Sequence, residues 1–416
     1  MRQKLWGLMA GLVLMLLGAG TAHAAVNCGA NTGVPATGTP IIIGAITGQT
    51  GPDDFSSATK SAKAYFACVN ANGGIHGRPV KYLVEDDQWN PELATQLANK
   101  LVNDDKAIAM VGNSSFVECG ANAGLYQKAG IAVLAGVGVP RECFFSANYV
   151  PLNAGPRIST VSAAMYAIDH FGAKNLVCIG PNIPGVGDWE CNGVKDLAAK
   201  RGVKVNVIIL NTGSADFTSI ILQAESYKPD AIILGLPKGL TIPVLQAADD
   251  QGLAGQVPFL SAASAYDASV PAALGADWNG NFYSSMEFND AASPLPDNQN
   301  WLAVMQQYGK PTDPRDTFSQ GGYLAAEIAT KVLLGLPADG ITRANFLAGV
   351  SGLKSFNSDI LCAPWYFDES ATHHNPNHDT RMSVVSGTGW KVVSACTASQ
   401  DPELADILAA ESKKGL

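Results

Sequence analysis

Four short stretches of this 416-residue chain carry side chains able to do chemistry. Asn72-Gly73-Gly74 with Gly77 has the spacing of a phosphate loop, and Asp86-Asp87 could serve a metal or act as an acid-base pair. Residues 180–187, GPNIPGVG, have the glycine spacing of a nucleotide loop, and residues 373–379, HHNPNHD, have the composition of a metal cluster. Each of these chemistries needs a particular element to hold it.

Apolar, β-branched runs recur at 40–46, 80–84, 107–112, 131–136, 175–180, 203–210 and 230–236. Runs unbroken by polar residues belong to parallel strands covered on both faces. Helical patterns lie between them, as over 57–70, where Ala58, Ala62, Tyr65, Phe66 and Val69 share one face. Strand and helix alternate, which predicts an α/β chain of βα units with open parallel sheets. The glycines at 73, 74 and 77 then fall on a helix-to-strand turn, whereas phosphate loops occupy the strand-to-helix connection; they are read as punctuation. Asp86 and Asp87 follow a strand's carboxyl end, the edge where such sheets bind ligands, but have no histidine or third carboxylate near in sequence. Capping and loop hydrogen bonds are the expectation for both, with Asn90 capping the next helix, Pro91 at its first position and Trp89 reaching towards a cleft lip.

The loop at 180–187 lacks the lysine and Ser/Thr of a nucleotide loop. In the histidine stretch Pro376 and the asparagines break any helix that would align imidazoles, so a polar turn between strands is expected and no metal site. No G-x-S-x-G elbow occurs and nothing pairs a nucleophile with its base, which argues against an enzyme; no cofactor is implied. Residues 401–415 predict a terminal helix, with Asp401 as cap, Pro402 first, Leu404, Ile407 and Leu408 on one face, and Glu403, Lys413 and Lys414 matching the helix dipole.

The amino terminus places Arg2 and Lys4 before an apolar run over 8–17, followed by small residues ending Ala22-His23-Ala24. That is the pattern of a signal peptide over 1–24, cut before Ala25; the run is short for the ~20 residues of a spanning helix. Asn27 before Cys28 fits a lipoprotein signal poorly, so a soluble, exported, periplasmic protein is expected. About 390 residues remain, enough for two domains. With 27 Lys+Arg against 36 Asp+Glu the net charge is -9, and without basic runs nucleic acid is excluded as partner. Eight cysteines suit an oxidising compartment. Cys119 with Cys143 and Cys178 with Cys191 would each join a strand or its loop to a neighbouring helix; Cys28 with Cys68 and Cys362 with Cys396 follow by elimination.

The order of IGAITGQTG (43–51), NANGGIHGRPV, EDDQWNPELA, KLVNDDKAIAMVGNSS (100–115), GSADFTSIILQ and KPDAIILGL resembles the leucine/isoleucine/valine-binding protein family, the type I periplasmic binding proteins that serve ABC importers. The resemblance implies two Rossmann-like lobes with parallel-sheet cores joined by three crossover segments, residues 38–153 with 288–361 forming one lobe and 154–287 with 362–416 the other. It implies a monomer that captures a small molecule in the cleft and delivers it to an inner-membrane permease. A ligand sensor and, further off, an exported Rossmann-type enzyme are the alternatives. In the family a serine after the third strand and backbone groups after the fourth take a carboxylate. Ser114 or Ser115, with Asn113 and Phe116 beside them, and the N–H of Gly138 next to Val137 match those loops; either serine could equally be a helix cap. Phe55 and Trp89 would stand at the cleft, Gly185 and Asp188 at its mouth, and Lys238, Ser264 and Tyr266 on the second lobe. Where amino-acid binders place an acid for the ammonium this chain has Ala262-Ala263-Ser264. A polar or anionic organic ligand is therefore expected rather than a zwitterion, because a buried ammonium without a counter-charge is costly.

Overall fold

The computed structural model describes residues 26–213, 216–367 and 373–414; the expected signal peptide lies outside them. In the first lobe the chain runs β1 (Ile41–Thr47), α1 (Ser57–Ala71), β2 (Val80–Asp86), α2 (Pro91–Asn99), β3 (Ala109–Val111), α3 (Glu118–Ala129), β4 (Ala132–Ala135) and β5 (Tyr149–Pro151). The five strands form one parallel sheet in the order β2-β1-β3-β4-β5. It then crosses to α4 (Pro156–Phe171), β6 (Asn175–Pro181), α5 (Gly187–Arg201), β7 (Lys204–Leu210), α6 (Phe217–Ser226), β8 (Ala231–Leu234), α7 (Lys238–Asp250), β9 (Phe259–Ser261), α8 (Ser269–Ala273) and β10 (Phe282–Met286). A second crossing leads back to α9 (Pro296–Tyr308), α10 (Thr317–Gly335) and α11 (Arg343–Ser351). A third leads to β11 (Asp379–Ser386), β12 (Gly389–Val392), β13 (Thr397–Ala398) and α12 (Ala405–Lys414).

The apolar runs behave as two-sided strands must. In β6 and β8, Val177, Ile179, Ile232 and Leu234 enter one buried cluster while Leu176, Cys178, Ala231 and Ile233 enter another on the opposite face. β3 and β4 divide in the same way, Val111 and Leu134 to one side, Met110 and Val133 to the other. The predicted face of α1 packs on α10, with Tyr65 edge-on to Tyr323 at 5.0 Å. Gly74 (φ +60) shows why glycine punctuates the turn after α1, since a Cβ there would lie 2.3 Å from the Arg78 carbonyl oxygen. The second sheet departs from the parallel expectation at one edge: β7-β6-β8-β9-β10 are parallel, but β11 runs antiparallel to β10 and pairs with β12 and β13 in a terminal ribbon.

All four expected disulfides are present: Cys28–Cys68, Cys119–Cys143, Cys178–Cys191 and Cys362–Cys396. The tail also folds as expected. Asp401 accepts from the Glu403 N–H at 3.0 Å, a single 3-10 turn leads into α12, and Leu404 and Ile407 pack on Ala154 and Ile158.

The histidine stretch is not a surface turn. His373, His374, Asn375, Asn377 and His378 are all buried where the third crossing passes the other two. The Asn377 amide donates to the carbonyls of Leu152 (2.9 Å) on the first crossing and Glu287 (3.1 Å) on the second, and Asn375 donates to Ala154 (3.1 Å). Crossing segments lack a sheet ladder, so their buried carbonyls need side-chain donors, and asparagine supplies two. No group of three His, Cys, Asp or Glu able to hold a metal occurs among the described residues.

Candidate ligand site in the interlobe cleft

The carboxyl ends of both sheets face one cavity. Phe55, Phe116, Val137, Gly138, Val139, Asn153 and Phe318 line it from the first lobe's side; Pro156, Ser159, Val186, Gly235, Pro237, Ser264 and Glu287 line it from the second. It holds about 360 Å3 of empty space, part of it open to solvent. A neighbouring space of about 240 Å3 shares Phe55, Ser264 and Phe318 and adds Asp53, Asp54, Lys238, Tyr266, Asp267, Asp316 and Thr317. Three phenyl rings make the apolar wall: Phe55 stacks on Phe318 at 5.1 Å and stands edge-on to Phe116 at 4.8 Å.

Of the residues singled out in the sequence, Phe55, Phe116, Val137, Gly138, Lys238, Ser264 and Tyr266 reach these walls. The others are held away from them. Trp89 lies behind the wall, stacked on Phe116 at 4.3 Å, with its indole N–H donating to the Asp53 carbonyl. Ser115 takes the helix-cap role: its hydroxyl donates to Asp87 and accepts from the Val117 and Glu118 N–H groups at 3.1 Å, which also accounts for Asp87 as a loop acceptor. Ser114 is buried and its backbone bridges β1 and the loop after β4, while Asn113 is buried with its carbonyl accepting from Val137 N–H. The Gly138 N–H is already taken, donating to Asn153 Oδ1 at 2.8 Å, and Asn153 Nδ2 returns a bond to the Gly138 carbonyl. Gly185 accepts from the Arg141 N–H across the lobes, and Asp188 at the start of α5 points to solvent; Val186 faces the cavity in their place. Asp86 is a loop acceptor, taking the N–H groups of Gln49, Thr50 and Gln88 and the Thr50 hydroxyl.

An acid-free cleft, expected from Ala262 to Ser264, is not what the fold builds. Glu287 enters the main cavity from the end of β10, its Oε1 accepting from the Gly155 N–H at 2.8 Å, and burial pushes its carboxyl up to about 7. In the adjoining space Lys238 pairs with Asp267 at 3.0 Å. Burial opposes the Lys238 charge, but Asp267, Asp53 and Asp316 outweigh it and hold the ammonium above the ordinary lysine value. Asp267 is held low, burial being outweighed by Lys238 and Ser269. Asp53 reaches across from the first lobe and accepts from the Gly239 N–H in the first turn of α7 at 3.1 Å, where the helix dipole favours a carboxylate. Its carboxyl is nonetheless raised, by burial chiefly.

Sequence reading missed Glu287, Asn153, Ser159, Phe318, Asp53 and Asp316. Asp316 had a local signal, since it caps α10 by accepting from Ser319 N–H and so sets Phe318 in that helix's first turn. Glu287 had a weaker one, an acid directly after a short strand at a sheet's ligand-binding edge.

Two lobes built on parallel strands and joined by three crossings, with a cavity at the facing strand ends, have the architecture of a cleft-type solute-binding protein. A family model described as periplasmic binding protein matches residues 40–389, and the chain belongs to that family, one of solute-binding proteins and not of enzymes. A relative named amino acid binding protein, from Pseudomonas aeruginosa, is 28% identical over 189 residues, 44% of this chain and 50% of its own length. The chain spans about half the length of the curated relatives it matches. Among solved structures, a fatty acid ABC transporter substrate-binding protein from Thermomonospora curvata superposes with a TM-score of 0.75 at 19% identity, covering 90% of this chain and 95% of that one. An ABC-transporter solute-binding protein from Rhodopseudomonas palustris in complex with p-hydroxybenzoic acid gives 0.74 at 20% identity, covering 88% and 100%.

Proposed function

We propose that this protein is the exported solute-binding component of an ABC importer. It takes up a small polar organic solute, amino-acid-like or carboxylate, between its lobes and presents it to an inner-membrane permease. The observation that supports this most is a cavity whose walls come from the carboxyl ends of both sheets, so that a ligand there touches both lobes at once. Such a ligand gains contacts only when the lobes close, and that difference drives closure. In this reading residues 1–24 are a cleaved signal peptide directing a monomer to the periplasm, consistent with four disulfides. Lobe one comprises 38–153 with 288–361, and lobe two 154–287 with 362–416. The amino acid binding relative and the p-hydroxybenzoate-bound neighbour frame the ligand class.

Thermal shift with a panel of amino acids and organic acids tests the reading. A ligand at a hundred times its Kd adds ~2.7 kcal/mol to stability. Failure of every panel member to raise the melting temperature counts against it.

A further inference from the structure

We propose that Glu287 selects the ligand by accepting a hydrogen bond from a hydroxyl or amine, the solute's apolar body lying against Phe55, Phe116 and Phe318. This rests on the cleft-binding reading above and deepens it.

The main cavity is short of donors and has acceptors to spare. Gly138 N–H is committed to Asn153. The Ser159 hydroxyl donates to the Gly155 carbonyl at 2.9 Å, and the Ser264 hydroxyl to the Leu236 carbonyl at 2.9 Å. No lysine or arginine is among the residues lining this space; Lys238 lines the adjoining one and is paired with Asp267. Glu287 brings a carboxyl group, with Gly155 N–H bonded to it and Asn153 and Ser159 beside it but with acceptor capacity left over, into a wall whose other members are mostly apolar. Complementarity to the ionised carboxylate then favours a ligand that donates, because a ligand offering only acceptors there would leave buried oxygen facing buried oxygen.

The carboxyl is also fixed in place, as a recognition group must be. Asn377 holds the Glu287 carbonyl oxygen from the third crossing, and Glu287 Oε1 takes the N–H of Gly155, directly before α4. Its side chain therefore sits where all three crossings meet. The acid enters from β10, whereas the resemblance directs attention to the loop after β9, which here is Ala262 to Ser264. A donor arriving at Glu287 would offset the cost of keeping a carboxyl at 2% exposure.

Three matched pairs test this by titration calorimetry: 4-hydroxybenzoate with benzoate, L-leucine with 4-methylpentanoate, and L-phenylalanine with 3-phenylpropanoate. The second member of each pair lacks the donor. On the wild type, at least one donor-bearing member should bind tenfold or more tighter than its partner, and Glu287→Gln should lower that preference tenfold. Equal or tighter binding of the donor-free partner in every pair that binds overturns the inference, and this holds whether or not the variant folds. So does a folded Glu287→Gln that keeps the preference. Binding of donor-free members alone overturns only this inference; binding of none of the six overturns the cleft-binding reading with it.

Discussion

Replacing Arg157 should unsettle the junction between the lobes and the carboxyl-terminal turn more than any other single charge change at that junction. Its side chain is 5% exposed and grips the Asp401 carboxylate with two bonds, Nε to Oδ2 at 2.6 Å and Nη2 to Oδ1 at 2.8 Å. Nη1 donates to the Trp189 carbonyl at 2.9 Å, and Glu403 lies 2.9 Å from Nε. The Asp401 side chain has no exposure at all, so Arg157→Met leaves a carboxylate buried with no cation. Removing one partner of such a pair costs ~3–5 kcal/mol. The third contact, to Asp196, is another matter: that carboxylate is 53% exposed and Asp196→Asn should cost under ~1 kcal/mol. Urea unfolding followed by tryptophan fluorescence is the assay, since the Trp189 indole N–H donates to Glu403 in the same turn. At roughly 2–4 °C per kcal/mol for lobes of this size, Arg157→Met should melt about 10 °C lower. The double variant Arg157→Met with Asp401→Leu should recover part of the loss, because no lone charge then remains buried. If Arg157→Met and Asp196→Asn both stay within ~1 kcal/mol of wild type, the reasoning fails.

Three further outcomes follow from the same geometry. Asp53→Ala removes the acceptor that crosses the cleft to Gly239, a bond to a charged group worth ~1.5–3 kcal/mol, so the ligand-free protein should open; an unchanged small-angle scattering radius would refute this. His378 is pushed up to about 9, burial being outweighed by hydrogen bonds to Asp379 and Glu411, so its contribution is complete below the unfolded value near 6.5 and disappears as pH rises through 9. Wild type should lose up to roughly 3 kcal/mol across that window, and His378→Gln, compared by urea unfolding at pH 6 and pH 9.5, should lose less. Peptide mapping without reductant should show Cys119 joined to Cys143, and replacing both by serine should cost ~2–4 kcal/mol in urea unfolding; free thiols at both positions would contradict the pairing.

Most of the fold could be read from local signals. β-branched runs such as 40–46 and 175–180 announce two-sided strands, and Asn90-Pro91 and Asp401-Pro402 announce helix starts, because both effects act within a few residues. The cavity was legible only in part. Phe55, Phe116 and Gly138 follow strands of a recognisable sheet, so their loops point to the cleft. Phe318 and Glu287 reach it from segments far along the chain, brought there by packing that no periodicity records. Ser115 shows the other limit: a serine after a strand suits a ligand and a helix cap equally well, and only the position of Asp87 decides between them. The buried histidine stretch misled for a related reason. Pro376 and two asparagines have the composition of a solvated turn, yet at a triple crossing the same amides are the donors that buried carbonyls require.

The account stands or falls on solute capture in the cleft. Native mass spectrometry of the freshly purified protein, with the released molecule identified after denaturation, tests it most directly. One small organic molecule per chain should be found on the wild type, released unaltered, and should be absent from Ser264→Trp, which places an indole where the two spaces of the cavity join. A wild type that carries nothing and takes up nothing from a cell extract, or a molecule bound equally by both proteins, would contradict it.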